Sequence, residues 1–574
     1  MKRLQVTDDS LLGTAAHCTA RHGLYFDAGE RETAFSMMTF LRQRRLWRGS
    51  GARRVAILLA LAAWVLPARA QQAESAAPTA TRSDVAKFRE RAEAALAEGG
   101  ADKGSWGMLV SDADTGEILY SLNAARYFAP ASNAKLFTTA MALATLGPDF
   151  RIHTKVVGTG MLKDGRYHGD LVLMGAGDAN LSNRVFPFRG KAGGRSGPAD
   201  KILTELADQV AARGVKVIEG DVVADDSYLD RGRFPSGWTV DDTVWNYGAA
   251  VSAVAVNDNT MTLTVRPGKT VGAPLEFSFD PRSNIYRVEN LAVTSGAGTE
   301  AQLGLSREPE SRVFFLRGNL PLGAAPRPLV VGVAEPAENA AVLLTGLLEE
   351  RGIQVTGHAR ARHAHDAAAT SISKEPTVFA EHVSPTLLED VRLTNKLSLN
   401  LHAELMLRVA AREKGGAVDP DAALKFAAEF RQSAGLQADD ALLNDGSGLS
   451  RGDLTTPQAI AKWLGWAQKQ TWGAEFRATL PVAGEDGTLD TRMEKTAAAG
   501  RVQAKTGSFD HVEALSGYAT TPHGEHLIFS LLGNNNGLRN HDATMILDSI
   551  CVAMVEELGA ASATGAAPEN QPAR

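Results

Sequence analysis

Two hairpin patterns, one near each end of the 574-residue chain, constrain its fold more than any other feature. Near the N-terminus, WGMLVSDADTGEILYSL contains two strand-like runs joined at Asp114-Thr115-Gly116. Near the C-terminus, EALSGYAT and EHLIFSLLG flank a turn that starts at Thr521-Pro522. Strand-like runs separated by short Gly- and Asp-containing turns are typical of β-hairpins. We therefore expect one sheet assembled from both termini, with the middle of the chain inserted into it.

The middle of the chain is long enough for such insertions, since a single hydrophobic core rarely serves so many residues. Residues 153–250 alternate strand and helix patterns, 257–330 are richer in strands, and AENAAVLLTGLLEERG returns to helix. The following stretch, HARARHAHDAAATSISKEP, reads as a loop. Its His358, His363 and His365 could bind a metal, but no Cys or carboxylate pattern surrounds them, so we expect a solvated linker and no metal site.

Residues 1–70 are predicted to be a leader. An arginine-rich stretch precedes the twelve apolar residues Val55 to Leu66, and Pro67 to Ala70 supplies an A-x-A cleavage site, which is the pattern of a secretory signal. Residues 1–36 lack periodicity and are interpreted as a misassigned start. A bilayer needs about 20 apolar residues, so no stable transmembrane anchor is expected. The leader predicts export to the periplasm or cell envelope.

The remaining chain is acidic and has one cysteine. The whole sequence carries a net charge of -6 although its leader is basic, and so acidic a surface argues against a nucleic-acid partner. Cys551 falls in an apolar helical pattern and is expected to be buried and inert. Residues 71–83 and 559–574 lack aromatic and large aliphatic side chains, which predicts a flexible spacer and a disordered tail.

The first chemical motif lies in PASNAKLFTTA, where Ser132 and Lys135 are three residues apart and share one face of a helix. Apolar residues recur after it at helical spacing and predict that the helix starts near Ser132. Unpaired amides at that start would favour an oxyanion, and a buried lysine could activate the hydroxyl. Ser and Asn also cap helices, and the decoy Ser371 to Lys374 shows that S-x-x-K alone decides nothing.

A second motif, Ser398-Leu399-Asn400, lies at the start of the predicted helix NKLSLNLHAELMLRVAAR. Ser and Asn at that position would also suit a helix cap. Taken alone, the motif therefore leaves cap and catalytic roles open.

The third motif is the K-T-G in RVQAKTGSFD, just before the second hairpin. On a strand, Lys505 and Gly507 would face one side and Thr506 and Ser508 the other, and Gly507 would allow close approach to the backbone. A lysine at that edge could hold a carboxylate, although a solvated turn is the alternative. In this order, the three motifs form the constellation of penicillin-interacting serine enzymes.

The chain resembles the D-alanyl-D-alanine carboxypeptidase/endopeptidases among the class C, low-molecular-mass penicillin-binding proteins. Beyond the three motifs, the resemblance rests on GDLVLMGAGDANL, GDVVADDSYLD, PSGWTVDDTVWNYGAAVSAVAVNDN, NDGSGLSR and LPVAGEDGTL, and runs from about residue 84 to 555. It implies a mixed α/β fold: a transpeptidase/β-lactamase-like domain, with an antiparallel sheet flanked by helices, interrupted by two nested domains. The expected domains are 84–152 with 380–558, 153–256 with 331–379, and 257–330.

The resemblance also implies roles for individual residues. Ser132 would be the acylated nucleophile, Lys135 its base, and Ser398 the hydroxyl that relays a proton toward the leaving D-alanine. The remaining roles are peptide-carbonyl binding by Asn400, an oxyanion hole from the amides of Ser132 and Ser508, terminal-carboxylate binding by Lys505, Thr506, Gly507 and Ser508, and a side-chain pocket formed by Trp238, Asp241, Tyr247 and Arg451.

The implied reaction is cleavage of the terminal D-Ala-D-Ala bond of peptidoglycan stem peptides through an acyl-enzyme, with crosslink cleavage as an additional activity. It requires no metal or organic cofactor, and β-lactams would act as covalent inhibitors. Two alternatives remain. A β-lactamase or esterase would use the same serine and lysine but deacylate quickly, and an inactive wall-binding protein would keep only a relic of the site.

Overall fold

The computed structural model describes residues 82–98, 100–366 and 375–560. The predicted leader, nearly all of the spacer, the tail beyond residue 560 and the decoy Ser371 to Lys374 lie outside the described residues. Across the described ranges, every helix is too short or too polar to cross a membrane.

The described residues contain ten α-helices. They are α1 Ser83–Ala97, α2 Ala134–Leu146, α3 Lys201–Ala212, α4 Pro336–Glu350, α5 Leu387–Leu397, α6 Asn400–Gly415, α7 Pro420–Ser433, α8 Pro457–Gln468, α9 Gly473–Thr479 and α10 Asn540–Glu557.

The same residues contain 27 strands. They are β1 Ser105–Asp112, β2 Ile118–Leu122, β3 His153–Gly158, β4 Met161–Lys163, β5 Arg166–His168, β6 Leu171–Met174, β7 Asp178–Leu181, β8 Arg184–Val185, β9 Gly194–Arg195, β10 Val217–Ile218, β11 Val222–Asp225, β12 Val254–Val256, β13 Thr260–Arg266, β14 Glu276–Asp280, β15 Arg287–Asn290, β16 Val293–Ser295, β17 Gln302–Arg307, β18 Val313–Pro321, β19 Arg327–Gly332, β20 Gln354–Val355, β21 Ala359–Arg362, β22 Thr377–Val383, β23 Ala441–Leu442, β24 Leu454–Thr455, β25 Val502–Phe509, β26 Val512–Thr520 and β27 His526–Asn534.

The sheet predicted from the two terminal hairpins is present. Its strand order is β2-β1-β27-β26-β25, and all neighbours are antiparallel. Strand β1 pairs with β27 along its whole length, from Ser105 opposite Asn534 to Asp112 opposite Leu527. The K-T-G motif lies on the edge strand β25, whose outer side is hydrogen-bonded at its start to Pro481 and Ala483.

Alternating side chains of this sheet enter two separate cores. One face contributes residues such as Leu109 and Leu532 to a core shared with α2 and α8. The other contributes Val110 and Phe529 to a core shared with α1 and α10. Period-two alternation makes this division automatic once the register is fixed. Cys551 lies in the second core, fully buried as expected, and burial raises the pKa of its thiol.

The segment inserted after α2 forms its own layers. Its two sheets have the orders β21-β11-β6-β3-β22 and β20-β10-β5-β4, and they share a core with the predicted helices α3 and α4. One expectation was wrong: the stretch predicted as a loop contains strand β21, which pairs in parallel with β11. Its sequence, ARAR, has no large apolar residue, and its backbone pairing with β11 holds it in place without one.

The histidines of that stretch interact with single carboxylates. His363 Nδ1 lies 2.7 Å from Asp226 Oδ1, and His365 Nδ1 lies 3.1 Å from Asp230 Oδ1. Within the described residues there is no group of three or more His, Cys, Asp or Glu side chains arranged to hold a metal.

Strands β13 to β19 form a further excursion from Thr260 to Gly332. They build two small sheets, β14-β13-β19 and β15-β18-β16 with β17 on β18, around a separate apolar core. The two ends of this excursion lie side by side: the amide of Val333 donates to the carbonyl of Asn259 at 2.8 Å. The domain boundaries given above remain predictions.

Candidate active site

Ser132 lies in a tight turn just before helix α2, not within the helix. The residues Ala131 to Asn133 form one 3-10 turn, and α2 begins at Ala134. The helix therefore starts two residues after Ser132, close to the predicted position. Ser132 does not cap the helix: the cap position is Asn133, which makes no side-chain cap bond. The Ser132 hydroxyl instead accepts a hydrogen bond from Lys135 Nζ at 2.9 Å.

Lys135 is fully buried on the first turn of α2. Its ammonium donates to Ser132 Oγ at 2.9 Å, to Asn400 Oδ1 at 2.6 Å and to the carbonyl of Ser447 at 2.6 Å. Burial lowers the pKa of Lys135 to about 8, although nearby acidic groups, Asp445 foremost, oppose that shift. A lysine with this pKa can become a neutral base close to physiological pH.

The Ser398-Leu399-Asn400 motif forms a turn between two helices, whereas the sequence predicted the start of one. Ser398 follows α5 in the left-handed conformation, with φ of 59°, and Asn400 is the first residue of α6. The amide of Leu399 returns to the carbonyl of Thr394 at 3.2 Å, as at many helix ends that use a left-handed residue. The turn places the Asn400 side chain between Lys135 and the carbonyl of Tyr247, to which it donates at 2.8 Å.

Lys505 connects the edge strand β25 to this turn. It is fully buried and donates to Ser398 Oγ at 2.9 Å and to the carbonyl of Thr506 at 2.7 Å. Burial, together with the charge of Lys135, holds its pKa well below the ordinary lysine value. The three motifs thus meet: Ser132 contacts Lys135, Lys135 contacts Asn400, and Ser398 contacts Lys505.

Gly507 brings the backbone of β25 against the turn Ala131–Asn133, which we call the nucleophile turn after the role predicted for Ser132. A Cβ at this position would lie 2.8 Å from both Ser132 N and the carbonyl oxygen of Pro130, closer than real Cβ contacts. In addition, Asn133 Nδ2 donates to the carbonyl of Lys505 at 3.2 Å. The close approach at Gly507 in this structure is to the protein's own backbone, and the predicted approach of a ligand to the same strand stays a prediction.

Thr506 and Ser508 have polar partners of their own. The Thr506 hydroxyl lies 2.8 Å from the Thr488 hydroxyl. Ser508 is exposed; its hydroxyl donates to Glu513 Oε1 at 2.5 Å and accepts from Asn540 Nδ2 at 3.1 Å.

The four residues predicted to form the side-chain pocket have different surroundings. Tyr247 touches the site through its carbonyl, as described. Arg451 lies over the ring of Phe509 at 4.3 Å, and its ion-pair partner is Asp242, at 3.6 Å. Asp241 is exposed. The fourth residue, Trp238, donates from Nε1 to Asp445 Oδ2 at 2.8 Å.

The buried acidic groups behind Lys135 were not predicted from the sequence. Burial raises the pKa of Glu404 to about 8 and that of Asp453 well above its ordinary value. Asp445 occurs in NDGSGLSR, one of the stretches that carry the family resemblance. An Asp ahead of Gly-Ser-Gly is a signal for a turn capped by its side chain. The overlapping Gly448-Leu449-Ser450-Arg451-Gly452 has G-x-S-x-G spacing, but it lies in this loop and not at a strand-to-helix elbow.

The chain matches one protein family along most of its length. The D-Ala-D-Ala carboxypeptidase 3 (S13) family matches residues 89–555. Among curated proteins, the D-alanyl-D-alanine carboxypeptidase of Actinomadura sp. (strain R39) is 34% identical over 540 residues, which cover 92% of this chain and 95% of that protein.

Solved structures share the fold. Penicillin-binding protein 4 (dacB) from Haemophilus influenzae superposes with a TM-score of 0.70 at 21% identity, covering 83% of this chain and 99% of that one. The same protein in complex with a β-lactam gives a TM-score of 0.64 at 21% identity, covering 81% of this chain and 98% of that one. The predicted fold class is confirmed.

Proposed function

Since the chain belongs to the D-Ala-D-Ala carboxypeptidase 3 (S13) family, we propose that it is a serine-type D-Ala-D-Ala carboxypeptidase acting on peptidoglycan stem peptides through an acyl-enzyme at Ser132. The observation that carries this proposal is the 2.9 Å contact between the Ser132 hydroxyl and the buried amine of Lys135. A hydroxyl alone is a weak nucleophile, and a buried lysine in contact with it is one of the few groups able to activate it.

In the acylation step, neutral Lys135 takes the proton of Ser132 while Oγ attacks the carbonyl carbon of the D-Ala-D-Ala bond. The amides of Ser132 and Ser508 bind the oxyanion that forms, and such donors are typically worth about 3 kcal/mol each. Ser398 gives its proton to the nitrogen of the leaving D-alanine as the C–N bond breaks. It is reprotonated with the proton that Lys135 took from Ser132, so Ser398 and Lys135 both end the step in their starting protonation states. The contact of Ser398 with Lys505 at 2.9 Å supports this role.

In the deacylation step, water replaces the amine. Lys135, again neutral, takes a proton from the water as its oxygen attacks the acyl carbon. The bond to Ser132 Oγ breaks, the serine regains its proton, and the shortened peptide leaves. The enzyme returns to its starting state without a metal or an organic cofactor.

The peptide substrate ends in a carboxylate, which suits a lysine and hydroxyl donors. The terminal carboxylate of the peptide would be held by Lys505, Thr506 and Ser508, with Gly507 keeping β25 against the nucleophile turn. Asn400 would bind the peptide carbonyl. Trp238, Asp241, Tyr247 and Arg451 would form the pocket for the stem-peptide side chain, in which the Arg451 guanidinium is already restrained by Asp242 and Phe509.

Penicillins mimic the D-Ala-D-Ala end and would acylate the same serine. This agrees with the β-lactam complex of the H. influenzae protein, which shares the fold. Action on peptidoglycan also fits the export predicted from the leader, to the periplasm or cell envelope.

The test is intact-mass measurement after incubation with a fluorescent penicillin, paired with release of D-alanine from a D-Ala-D-Ala peptide. We expect one adduct and D-alanine release from the wild type, and neither from Ser132→Ala. Ser433→Ala, an exposed serine at the end of α7, is the matched control and should behave as wild type. An adduct that persists in Ser132→Ala would refute the assignment of Ser132 as the nucleophile.

The same assays separate the alternatives. Rapid hydrolysis of benzylpenicillin with negligible peptide turnover would identify a β-lactamase, and absence of any adduct would favour an inactive wall-binding protein. Digestion of monomeric and crosslinked muropeptides, with products identified by mass, measures carboxypeptidase against endopeptidase activity.

A further inference from the structure

Asp445 is a buried carboxylate that accepts an unusually large number of hydrogen bonds. It is 3% exposed and lies in the loop between β23 and β24. Its two oxygens accept from six donors: the amides of Ser447, Gly448, Leu449 and Ser450, the hydroxyl of Ser447 and the indole of Trp238. An ionised carboxylate offers about four lone-pair directions and no donor, so it suits such a ring of N–H and O–H groups.

The loop that Asp445 shapes contacts the nucleophile and its base directly. The carbonyl of Ser447 accepts from Lys135 Nζ at 2.6 Å. At Gly448, which has φ of 78°, a Cβ would lie 1.8 Å from the carbonyl oxygen of Ala131, the residue before Ser132. The position of the loop therefore fixes both the lysine and the turn that carries Ser132.

We propose that Asp445 is a positioning residue for the reaction: by ordering the loop 445–450 and supplying a fixed negative charge behind Lys135, it sets the geometry and the protonation of the general base. The inference rests on the proposed function of Ser132 and Lys135. Asp445 itself touches no reacting atom, so it acts through Ser447 and Lys135.

Other charged groups also face Lys135 and the loop 445–450, and the variants tested should leave those residues unchanged. Glu404 on α6 and Asp453 also oppose the fall in the pKa of Lys135, while Lys505 on β25 is a like charge. Arg408 and Arg431 lie near these carboxylates and partly offset them. Among the acidic groups Asp445 has the largest influence on Lys135. Its charge also raises the pKa of Glu404 and of Asp453, so these two carboxyl groups ionise more readily without it and offset part of its removal.

The test uses Asp445→Asn. Asparagine keeps the shape but has one acceptor oxygen and an NH2 group, so donors on one side of the ring would face another donor. We expect the maximal rate of penicillin acylation to fall about tenfold or more, because small displacements of a base are costly. We also expect the rise of that rate with pH to move about one unit lower, because losing a nearby opposite charge lowers the pKa of Lys135.

The pH displacement separates the proposal from a merely structural role. Loss of loop order alone would lower the rate and leave the pH midpoint in place, and that result overturns the proposal. Asp439→Asn, an exposed acidic residue near the same loop, is the control and should change neither quantity. If the wild type itself forms no Ser132 adduct, the proposed function fails first, which distinguishes the two failures.

A second variant keeps the test decisive if Asp445→Asn does not fold. Ser447→Ala removes one donor to Asp445, the hydroxyl at 2.9 Å, but keeps the charge and the carbonyl that binds Lys135. We expect a thermal midpoint close to that of the wild type, slower acylation by several fold, and an unchanged pH midpoint. Acylation at the wild-type rate would overturn the positioning role.

Discussion

Lys135 has three hydrogen-bond partners and, as an ammonium, three protons to give them. To act as a base, Lys135 must lose the proton that is directed at Ser132. The partly buried Ser132 hydroxyl can then rotate and donate its own proton to Lys135 Nζ. Burial makes that loss accessible by lowering the pKa of Lys135 to about 8. The proposed role of Lys135 as a base therefore depends on its surroundings more than on its motif.

The pH dependence of acylation follows from this pKa. Because only neutral Lys135 can accept the proton of Ser132, the rate should rise with pH and reach half its maximum near pH 8. The measurement is the rate of penicillin adduct formation between pH 6 and 10, by stopped reaction and mass. A rate that stays constant across this range would contradict Lys135 as the base.

Gly507→Ala should slow acylation severely. The added methyl would lie 2.8 Å from Ser132 N, so β25 must move away from the nucleophile turn and widen the oxyanion hole. We expect a loss of about 100-fold in acylation rate, as for loss of one oxyanion donor, measured with the same penicillin.

Gly304→Ala is the matched control for Gly507→Ala. Gly304 also lies in a strand, β17, and a Cβ there meets nothing within 4 Å, so acylation should be unaffected. Equal effects of the two substitutions would mean that the contact with Ser132 is unimportant.

Among the helices and strands, the turn between α5 and α6 is the element that the sequence described least well. SLN was read as the start of one helix because its flanking residues have helical periodicity on both sides. Ser398 adopts φ of 59°, which a non-glycine residue rarely does, so nothing in the local pattern predicted the break. Similarly, Ala131 has φ of 45° and delays α2 to Ala134.

A buried histidine joins the two helices across that turn. His402 on α6 is fully buried, with Nδ1 2.6 Å from Asp390 Oδ1 on α5 and Nε2 3.2 Å from Asp258 Oδ1 of the inserted segment. Asp258 is in turn held by Arg184 and by Arg195. With a carboxylate at each nitrogen, His402 is best satisfied as an imidazolium, and these acidic partners, against the effect of burial, raise its pKa to about 9.

His402→Gln should lower stability in a pH-dependent way. A pKa raised from 6.5 to about 9 contributes stability that is complete below pH 6.5 and is lost as the pH rises through 9. The contribution is on the order of 3 kcal/mol. The difference in thermal midpoint between wild type and variant should therefore be largest near pH 6 and shrink toward pH 10.

Using the difference between the two proteins removes the opposite trend that the lowered pKa of Lys135 imposes on both. The exposed His541→Gln on α10 is the control and should give no difference at any pH. A gap that is constant from pH 6 to 10 would show that His402 contributes by packing alone.

For the whole molecule, the sequence was most informative where long-range order follows from local pattern. The two hairpins predicted one sheet from both termini because a hairpin is a local structure, and β1 does pair with β27. The three motifs then predicted which elements meet at the site. The buried Glu404 and His402 were not predicted because partners such as Gly446 and Asp258 lie far away in sequence. Asp445 is different, because most of its partners lie within five residues and its Asp-Gly-Ser-Gly turn is a local signal.

The excursion between Asn259 and Val333 offers a test of how independent the parts are. Its ends are joined by a 2.8 Å backbone hydrogen bond, its core is separate from the two cores of the terminal sheet, and none of the three motifs lies within it. Replacing Thr260 to Gly332 by a short Gly-Ser linker should leave a folded protein. It should have a lower thermal midpoint, because apolar residues such as Val244 lose their cover.

The excision should separate two activities. Ser132 and Lys135 do not touch the excised strands, so penicillin acylation should stay within about threefold of wild type, as for distant independent sites. However, Trp245 bridges to Val331 of β19, and the adjoining Tyr247 binds Asn400 through its carbonyl. Loss of the bridge should loosen the loop that carries Trp245 and Tyr247, and this should raise KM for D-Ala-D-Ala peptides. A shortened protein that still unfolds cooperatively but is no longer acylated would show that the excursion supports Ser132 itself. Unchanged peptide kinetics would show that the loop of Trp245 and Tyr247 holds its position without β19.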